Sequence, residues 1–225
     1  MQKIDVLSGY VQLINMMPHP SQGISADLYA VNMARTSFLG ESKGEEADLK
    51  LLKYLIEHKH LSPLEHIKFT FKVKVDIATA RQWFRYRTGV FSELSRRYTE
   101  VDEDEFYIPT DFRAQSSNNK QASDGLISNQ VGAQDIFDSI IASAWDSYAK
   151  LIELGVAREQ ARLVLPVASM TTFIWTTDAR NLLHFLKERC DEHAQYEIRQ
   201  YALATMKIVR CYMPHTLKFM GDFGN

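Results

Sequence analysis

Apolar and polar residues alternate without interruption over residues 67–75, IKFTFKVKV. The isoleucine, phenylalanines and valines would lie on one face of an extended chain, and the lysines and threonine on the other. We therefore predict a strand with one buried face. Asp76 follows at once and is a residue type that caps helices by accepting hydrogen bonds from free backbone N–H groups. This predicts a helix over residues 77–87, IATARQWFRYR.

Apolar residues recur at helical spacing in five further segments, so most of the chain is predicted to be helical. The only linker-like segment, residues 114–129 (AQSSNNKQASDGLISN), is predicted to be a mobile surface loop. Many helices and few strands indicate an α+β fold, and the length suits one domain over residues 1–225. The predicted helices are 26–36, 45–58, about 131–154 closed by Gly155, about 156–164 before Pro166, and one from near Asp178 towards residue 213.

The overall charge and the cysteines exclude some classes of function. The 26 Lys and Arg against 28 Asp and Glu give a net charge of −2. A protein that coats nucleic acid needs an excess of positive charge, so we expect no nucleic-acid partner. Cys190 and Cys211 follow no pairing or zinc-binding pattern, which favours a reducing compartment, the cytoplasm. No apolar run suits a membrane span, so we expect no membrane partner.

The densest candidate chemistry lies in residues 81–98, RQWFRYRTGVFSELSRRY, which hold five arginines and five aromatic residues. A local positive cluster in a near-neutral chain is typical of a site for a small polyanionic ligand with a ring. Arginine and serine side chains bind phosphate, and Gln82 or Glu93 could read a base or sugar. A solvated basic helix is the alternative. Trp83 and Phe91 argue against it, because they place part of the segment in the core, where unpaired arginine is costly.

Residues 58–66, HKHLSPLEH, raise the question of a metal site. Their spacing fits no familiar site, and Pro63 interrupts any shared helical face, so we predict no metal and a turn that presents polar groups to a ligand. Arg158 and Arg162 share a helical face beside an apolar run. Spacing alone leaves open whether a carboxylate or a ligand anion would satisfy them.

The predicted last helix carries two pairs of Arg and His four residues apart, Arg180 with His184 and Arg189 with His193. An offset of nine residues would place the pairs on opposite faces of an unbroken helix. One site could not easily use both. If both pairs are functional, we expect an oligomer with sites at its interfaces.

Seven motifs occur in one order over most of the chain. Six of them are ARTSF at 34–38, HLSPLEH at 60–66, QWFR at 82–85, FYIP at 106–109, ARLVLP at 161–166 and HAQYEIRQ at 193–200. The seventh is Arg85–Tyr86–Arg87, the seven residues TGVFSEL and Ser95, followed by Arg97–Tyr98. Together they resemble the flavin-dependent thymidylate synthases, whose signature is Arg-His-Arg, seven residues and a serine.

The resemblance implies a helix-rich fold with a small, mainly antiparallel sheet, assembled as a homotetramer that holds FAD. It implies transfer of a carbon from methylenetetrahydrofolate to C5 of dUMP to give dTMP, with NADPH reducing the flavin that delivers hydride. Arg189 would be catalytic by stabilising negative charge on the uracil, with no covalent enzyme nucleophile. The implied dUMP residues are Gln82, Trp83, Phe84, Arg85, Glu93, Leu94, Ser95, Arg96, Arg97, Arg162 and Arg189. The implied FAD residues are Ser37, His60, Ser62, Arg85, Tyr86, Arg87, Glu93, Asp178, Arg180, His184 and His193.

Three positions depart from the family pattern: Tyr86 stands for the signature His, and Ser92 and Asp178 stand for usual asparagines. Our hypothesis is that FAD still binds with an altered redox poise, and that Tyr86→His would raise turnover. The departures keep other readings open. These are C5 hydroxymethylation of dUMP or a related pyrimidine nucleotide, and a non-catalytic nucleotide or flavin binder. An RNA-binding module that stacks bases on Trp83, Tyr86 and Phe91 is disfavoured by the net charge.

Overall fold

The central element is a five-stranded antiparallel sheet with strand order β1-β2-β3-β7-β4. The computed structural model describes residues 2–38, 40–117 and 123–221. The α+β class and the antiparallel sheet are confirmed. A separate two-stranded hairpin, β5 and β6, stands outside the main sheet. The strands are β1 Lys3–Val6, β2 Gly9–Met17, β3 Lys68–Asp76, β4 Val90–Glu93, β5 Arg113–Gln115, β6 Ser123–Leu126 and β7 Met170–Asp178.

Strand β3 lies at the centre of the sheet and confirms the alternation in the sequence. Its phenylalanines and valines are fully buried, and its lysines and threonine are half-buried on the other face. Along the β7 partner, Phe71 faces Trp175 and Lys68 faces Asp178. The helices therefore pack against the buried face of β3.

Strands β1, β2 and β7 were not predicted. In β7, MTTFIWTTD, buried aromatic residues alternate with threonines and an isoleucine. The side chains on the two faces of the strand therefore differ in size more than in polarity, and the sequence shows no clear alternation of polar and apolar residues. β-Branched and aromatic residues favour strands, and this enrichment was the available signal. Val11 and Leu13 of β2 are fully buried, but a register shift between Leu13 and Asn15 interrupts the simple alternation of that strand.

The helices begin where capping residues predict and end earlier than apolar spacing predicts. Asp76 accepts from Thr79 N at 2.8 Å and Asp178 accepts from Asn181 N at 2.9 Å, so both predicted N-caps are confirmed. Gly155 takes a φ of 84°, the left-handed conformation that ends helices. The helices are α1 Ala26–Arg35, α2 Glu45–Glu57, α3 Ile77–Trp83, α4 Gln130–Glu153, α5 Arg158–Ala161, α6 Ala179–Arg189, α7 Tyr196–Arg210 and α8 Pro214–Phe219.

Two predicted helices were too long. The helix predicted over 77–87 ends at Trp83, and the chain then turns to Gly89. A Cβ atom on Gly89 would lie 2.2 Å from Nε1 of Trp175, so only glycine lets this turn approach the sheet. The single last helix predicted from near Asp178 towards residue 213 is two helices, α6 and α7. Asp191 accepts from the backbone and ring nitrogens of His193, a local turn that separates α6 from α7.

The main apolar core is formed by residues of the five-stranded sheet and of the helices that cover it. Trp83, Phe173, Trp175, Phe185 and Tyr201 form the aromatic centre of the main core. A smaller apolar cluster joins α4 to the segment before β7.

The predicted loop over 114–129 includes parts of β5 and β6, and its residues 118–122 lie outside the described residues. No described helix is both long and apolar enough to cross a membrane.

Candidate active site

A first depression, here called the strand cleft, lies beside β4 and the end of α3. It has a volume of about 330 Å³. Glu93 points into it from the end of β4, where its carboxylate accepts from the hydroxyl of Thr171 at 2.8 Å. Glu93 was expected in a loop and lies in a strand instead. The predicted nucleotide residues that line the cleft are Phe84, Glu93, Leu94, Arg96 and Arg162, and Arg81 joins them.

Arg96 is held inside the protein by several acceptors. Its guanidinium donates to the backbone oxygens of Glu100, at 2.6 Å, and Met170, at 3.1 Å, and pairs with the Glu105 carboxylate. The side chain is only 12% exposed. Arg96 therefore fixes the chain after β4 against the start of β7, and Arg162 is the better-placed cation of the strand cleft.

Ser95 and Arg97 contact each other on the exposed side of the same segment. The Ser95 hydroxyl lies 3.3 Å from the Nε and 3.4 Å from the backbone N of Arg97. The Arg97 guanidinium also lies over the ring of Tyr98, 5.3 Å from its centroid. A serine hydroxyl and a guanidinium held together in this way are suited to bind one phosphate or sugar oxygen.

Gln82 and Trp83 leave α3 on different sides. The Trp83 side chain is fully buried and stacks on Phe185, with ring centroids 4.7 Å apart, so only its main chain could contact a nucleotide. Gln82 donates to the side chain of Gln195, which donates to Glu197 at 2.9 Å. Glu197 is buried, and its ion pair with Arg113 connects this chain of contacts to strand β5.

The carboxylate of Glu197 stays charged in this position. Burial acts to raise its pKa, but hydrogen bonds from Gln195 and Arg113 outweigh burial and hold the pKa below its usual range. A carboxylate can only accept hydrogen bonds, so the Gln195 amide must point its nitrogen at Glu197 and its oxygen at Gln82. Gln195, at the start of α7, therefore fixes the orientation of the Gln82 side chain.

A second depression, here called the helix-break pocket, lies where α6 ends. It has a volume of about 550 Å³ and brings together three predicted site residues, His184, Arg189 and His193. The sequence placed the Arg189 and His193 pair away from His184 only for an unbroken helix; here the helix stops at Arg189, and the turn at Asp191 brings His193 into the same pocket. Lys187, Glu188, Asp191 and Ala194 complete the lining. The two depressions share no lining residue.

Arg189 is held at its Nε edge by a residue from the signature motif. The Nε atom donates to the Tyr86 hydroxyl at 2.7 Å, and the same hydroxyl donates to Glu188 at 2.7 Å. His184 lies 3.4 Å from the other oxygen of Glu188. Two cations, two imidazoles and two carboxylates thus surround one open pocket.

Cys190, the neighbour of Arg189 in the sequence, is not available as a nucleophile. Its side chain is fully buried, and burial raises the pKa of the thiol to about 12. A thiolate is the reactive form of cysteine, and little of it exists near neutral pH at such a pKa. The pocket therefore offers hydrogen bonds and positive charge, not covalent catalysis.

Of the other predicted flavin residues, Asp178 is buried as the N-cap of α6, and the rest are exposed. Ser62 belongs to a short 3-10 turn, Ser62–His66, that contacts both α1 and α6, and Ser37 follows α1 directly. Arg180, near the start of α6, pairs with Glu65 of that turn, and Asp178 lies 3.8 Å from Lys68. His60, Arg85 and Arg87 are exposed. No group of three or more potential metal ligands occurs among the described residues.

Sequence reasoning missed the acidic partners of the site. Glu65, Glu188 and Glu197 each hold a predicted site residue or its neighbour. Two of the three lie within quoted motifs, in HLSPLEH and HAQYEIRQ. The rule that a buried or clustered arginine needs a carboxylate was the signal that could have found them.

Comparison with known proteins decides the family. A family model described as thymidylate synthase complementing protein matches residues 12–215. A flavin-dependent thymidylate synthase from Thermosipho africanus is 45% identical over 212 residues, covering 93% of this chain and 90% of that protein. The chain belongs to the flavin-dependent thymidylate synthase family. A family member from Thermus thermophilus is 43% identical over 206 residues, covering 92% of this chain and 73% of that protein.

Solved structures agree with this membership. The crystal structure of a UMP/dUMP methylase, PolB from Streptomyces cacaoi, bound with 5-Br dUMP, superposes with a TM-score of 0.84 at 31% identity, covering 96% of each chain. The same protein bound with 5-Br UMP gives a TM-score of 0.82 at 30% identity, covering 96% of this chain and 95% of that one. The flavin-dependent thymidylate synthase fold therefore extends over nearly the whole chain.

Proposed function

We propose that this protein is an enzyme that methylates C5 of dUMP to give dTMP, with FAD as cofactor. Family membership supports the reaction, and the placement of Arg189 with His184 and His193 in one pocket is the structural observation that carries it. Methylenetetrahydrofolate is the proposed carbon donor and NADPH the proposed reductant. With both cysteines free, the location we propose is the cytoplasm.

Arg189 supplies the electrostatic part of the proposed chemistry. C5 of uracil is a poor nucleophile, and negative charge held on N3 and the neighbouring carbonyl oxygen polarises the ring and raises the reactivity of C5 towards the carbon donor. With Nε held by Tyr86, the two terminal nitrogens of Arg189 are left to donate to those atoms. A fixed cation stabilises such a charge without reorganising, which is worth far more than a mobile one.

The residues around α6 fit a flavin dinucleotide in their chemistry. They are imidazole, guanidinium and hydroxyl groups that lie exposed, and these donors suit phosphates and ring carbonyls. Arg180, His184 and His193 would hold the group beside Arg189, with Ser37, His60, Ser62 and Arg87 completing the site. When bound and reduced, FAD supplies the hydride that completes the methyl group.

Residues of the strand cleft would hold the nucleotide together with Arg189. Arg162 contributes a cation, Glu93 an acceptor for a sugar hydroxyl, and Ser95 with Arg97 a donor pair. The strand cleft and the helix-break pocket share no lining residue. We therefore propose that subunits of a homotetramer complete each other's active sites.

The surface of α4 supports this assembly. Ile136 and Ile140, one turn apart on one face of α4, are 68% and 59% exposed, which is unusual for apolar residues of a folded protein. Leu163, near the strand cleft, is 76% exposed. Packing a second copy over these residues would bury them.

The double variant Ile136→Asp, Ile140→Asp is expected to fall apart into smaller species and to lose activity with its assembly. Burying two carboxylates in an apolar interface is strongly unfavourable. Light scattering after gel filtration measures the mass. Asp138→Lys, an exposed change on the opposite face of α4, is the control and is expected to leave the assembly intact. A double variant with unchanged mass would place the interface elsewhere.

UMP is a second candidate substrate. The solved structures that resemble this chain are of a protein described as a UMP/dUMP methylase, once with each type of 5-bromo nucleotide. Comparing kcat/KM for dUMP and UMP decides between them. We expect dUMP to be preferred, and equal values would make the protein a methylase of both.

Oxidation of the bound flavin tests the proposed cofactor chemistry. Protein loaded with FAD and reduced by NADPH without oxygen is mixed with dUMP, with methylenetetrahydrofolate, or with both. The visible absorbance of oxidised flavin is expected to return only when both are present. Oxidation that needs no nucleotide, or none at all, would contradict the proposal and favour the non-catalytic reading.

A further inference from the structure

The hydroxyl of Tyr86 forms a fixed link between two charged side chains. It donates its one proton to Oε2 of Glu188 at 2.7 Å and accepts from Nε of Arg189 at 2.7 Å. A carboxylate only accepts and a guanidinium only donates, so this order of donors and acceptors cannot reverse. The link therefore ties the Nε edge of Arg189 to one position.

The ring of Tyr86 is itself held by its neighbours. Its edge meets Phe185 with ring centroids 4.9 Å apart, and Phe185 is a fully buried part of the aromatic core. His184 packs on another side, 6.0 Å away. Glu188 is also restrained, since its second oxygen lies 3.4 Å from His184. Contacts within the protein thus fix the position of the Tyr86 hydroxyl, and no ligand is needed to do so.

We propose that Tyr86 and Glu188 are positioning residues for Arg189, holding its guanidinium so that the two terminal nitrogens meet the pyrimidine. The inference rests on the proposed function of Arg189. A free arginine samples many rotamers, and a displacement of a catalytic group by about 1 Å can lower the rate about 100-fold. The link removes most of that freedom before the nucleotide binds.

The phenol also keeps the link independent of pH. Burial and the hydrogen bond to Glu188 raise the pKa of Tyr86 well above its ordinary value, against the opposing effect of Arg189. The phenol therefore keeps its proton throughout the working range. A histidine at this position would titrate near neutral pH, so the link would change with its protonation. We thus reverse the expectation from the sequence: Tyr86→His should lower turnover.

Tyr86→Phe tests the link with the smallest change. Removing one oxygen is expected to lower kcat by about 10- to 100-fold, while the dissociation constant for dUMP, measured by calorimetry, changes less than about threefold. Tyr29→Phe, a change in a partly buried tyrosine of α1, is the matched control and should leave kcat unchanged. A Tyr86→Phe enzyme with wild-type kcat would overturn the inference.

Glu188 gives an independent test if the Tyr86 variants fold poorly. Glu188→Gln keeps an oxygen that accepts from Tyr86, so it should retain more activity than Glu188→Ala; equal losses would count against the link. In the pH profile of kcat, Tyr86→His should add a transition near neutral pH that Tyr86→Phe does not show, because phenylalanine does not titrate. If the wild-type protein forms no thymidylate at all, the proposed function fails. If it does and these variants match it, only this inference fails.

Discussion

Replacing Arg189 with alanine is expected to lower kcat for dUMP methylation by about 100- to 1000-fold, the usual effect of removing one preorganised donor from a developing anion. Flavin content and thermal stability should remain close to wild type, because Arg189 is only half-buried at the end of α6. Arg189→Lys should recover little, since lysine lacks the Nε–H that binds Tyr86 and the planar edge that would meet the uracil. Single-turnover kinetics with reduced enzyme measure the step directly.

Lys187→Ala is the control for the loss of a positive charge in the same pocket. Lys187 lines the helix-break pocket, but among the described residues none holds it as Tyr86 holds Arg189. We expect less than a 10-fold fall in kcat for this variant, far below the effect at Arg189. Equal losses at Lys187 and Arg189 would mean that charge alone, and not the held geometry, matters.

Removing the Asp48 carboxylate is expected to destabilise the protein by about 3–5 kcal/mol, the cost of leaving a buried charge unpaired. Asp48 pairs with Arg35, and the two residues are only 5% and 8% exposed. Chemical denaturation of Asp48→Ala measures the free energy of unfolding. The exposed pair Glu46–Lys50 is the control, and Glu46→Ala should cost no more than about 0.5 kcal/mol. Equal costs at the two sites would contradict the burial argument.

The Arg35–Asp48 ion pair makes the stability of the folded protein depend on pH, in a direction that follows from the pKa of Asp48. The hydrogen bond from Ser42, followed by the contacts with Arg35, lowers the pKa of Asp48 in the folded protein, although burial opposes this. A group with a lowered folded pKa stabilises the protein above its unfolded pKa, and this stability is lost as the pH falls through the folded value. The wild type should therefore lose more stability below about pH 4 than Asp48→Ala does.

The sequence predicts those parts of the fold that local chemistry controls. The alternation in β3, the aspartate caps of α3 and α6, and the glycine that ends α4 are all confirmed. The break after Arg189 could not be seen, because the turn at Asp191 forms within a stretch whose residues favour a helix. Strand β7 was missed because its threonines hide which face is buried.

The candidate site, like the fold, has some parts that the sequence predicts and others that it does not. Its cations and imidazoles carry sequence spacing and family motifs, so Arg189, His184 and His193 were predicted, and the structure brings them together. The imidazoles have local carboxylate partners, Glu188 for His184 and Asp191 for His193, but the carboxylate partners of Tyr86 and Arg180 are distant in the sequence. Glu188 meets Tyr86 across 102 positions and Glu65 meets Arg180 across 115, and no spacing rule reaches that far. Arg96 stays a predicted nucleotide residue, and its contacts with Glu100, Glu105 and Met170 were not foreseen because spacing does not reveal which acceptors hold an arginine.

Mass spectrometry of the nucleotide product tests the central claim most directly. The purified protein is incubated with dUMP, methylenetetrahydrofolate, FAD and NADPH, and the product is compared with authentic thymidylate. The account predicts a nucleotide heavier than dUMP by one methylene unit, formed by the wild type and greatly reduced in Arg189→Ala. A hydroxymethylated nucleotide would contradict the terminating hydride step, and unreacted dUMP with FAD bound would contradict the methylation of dUMP itself.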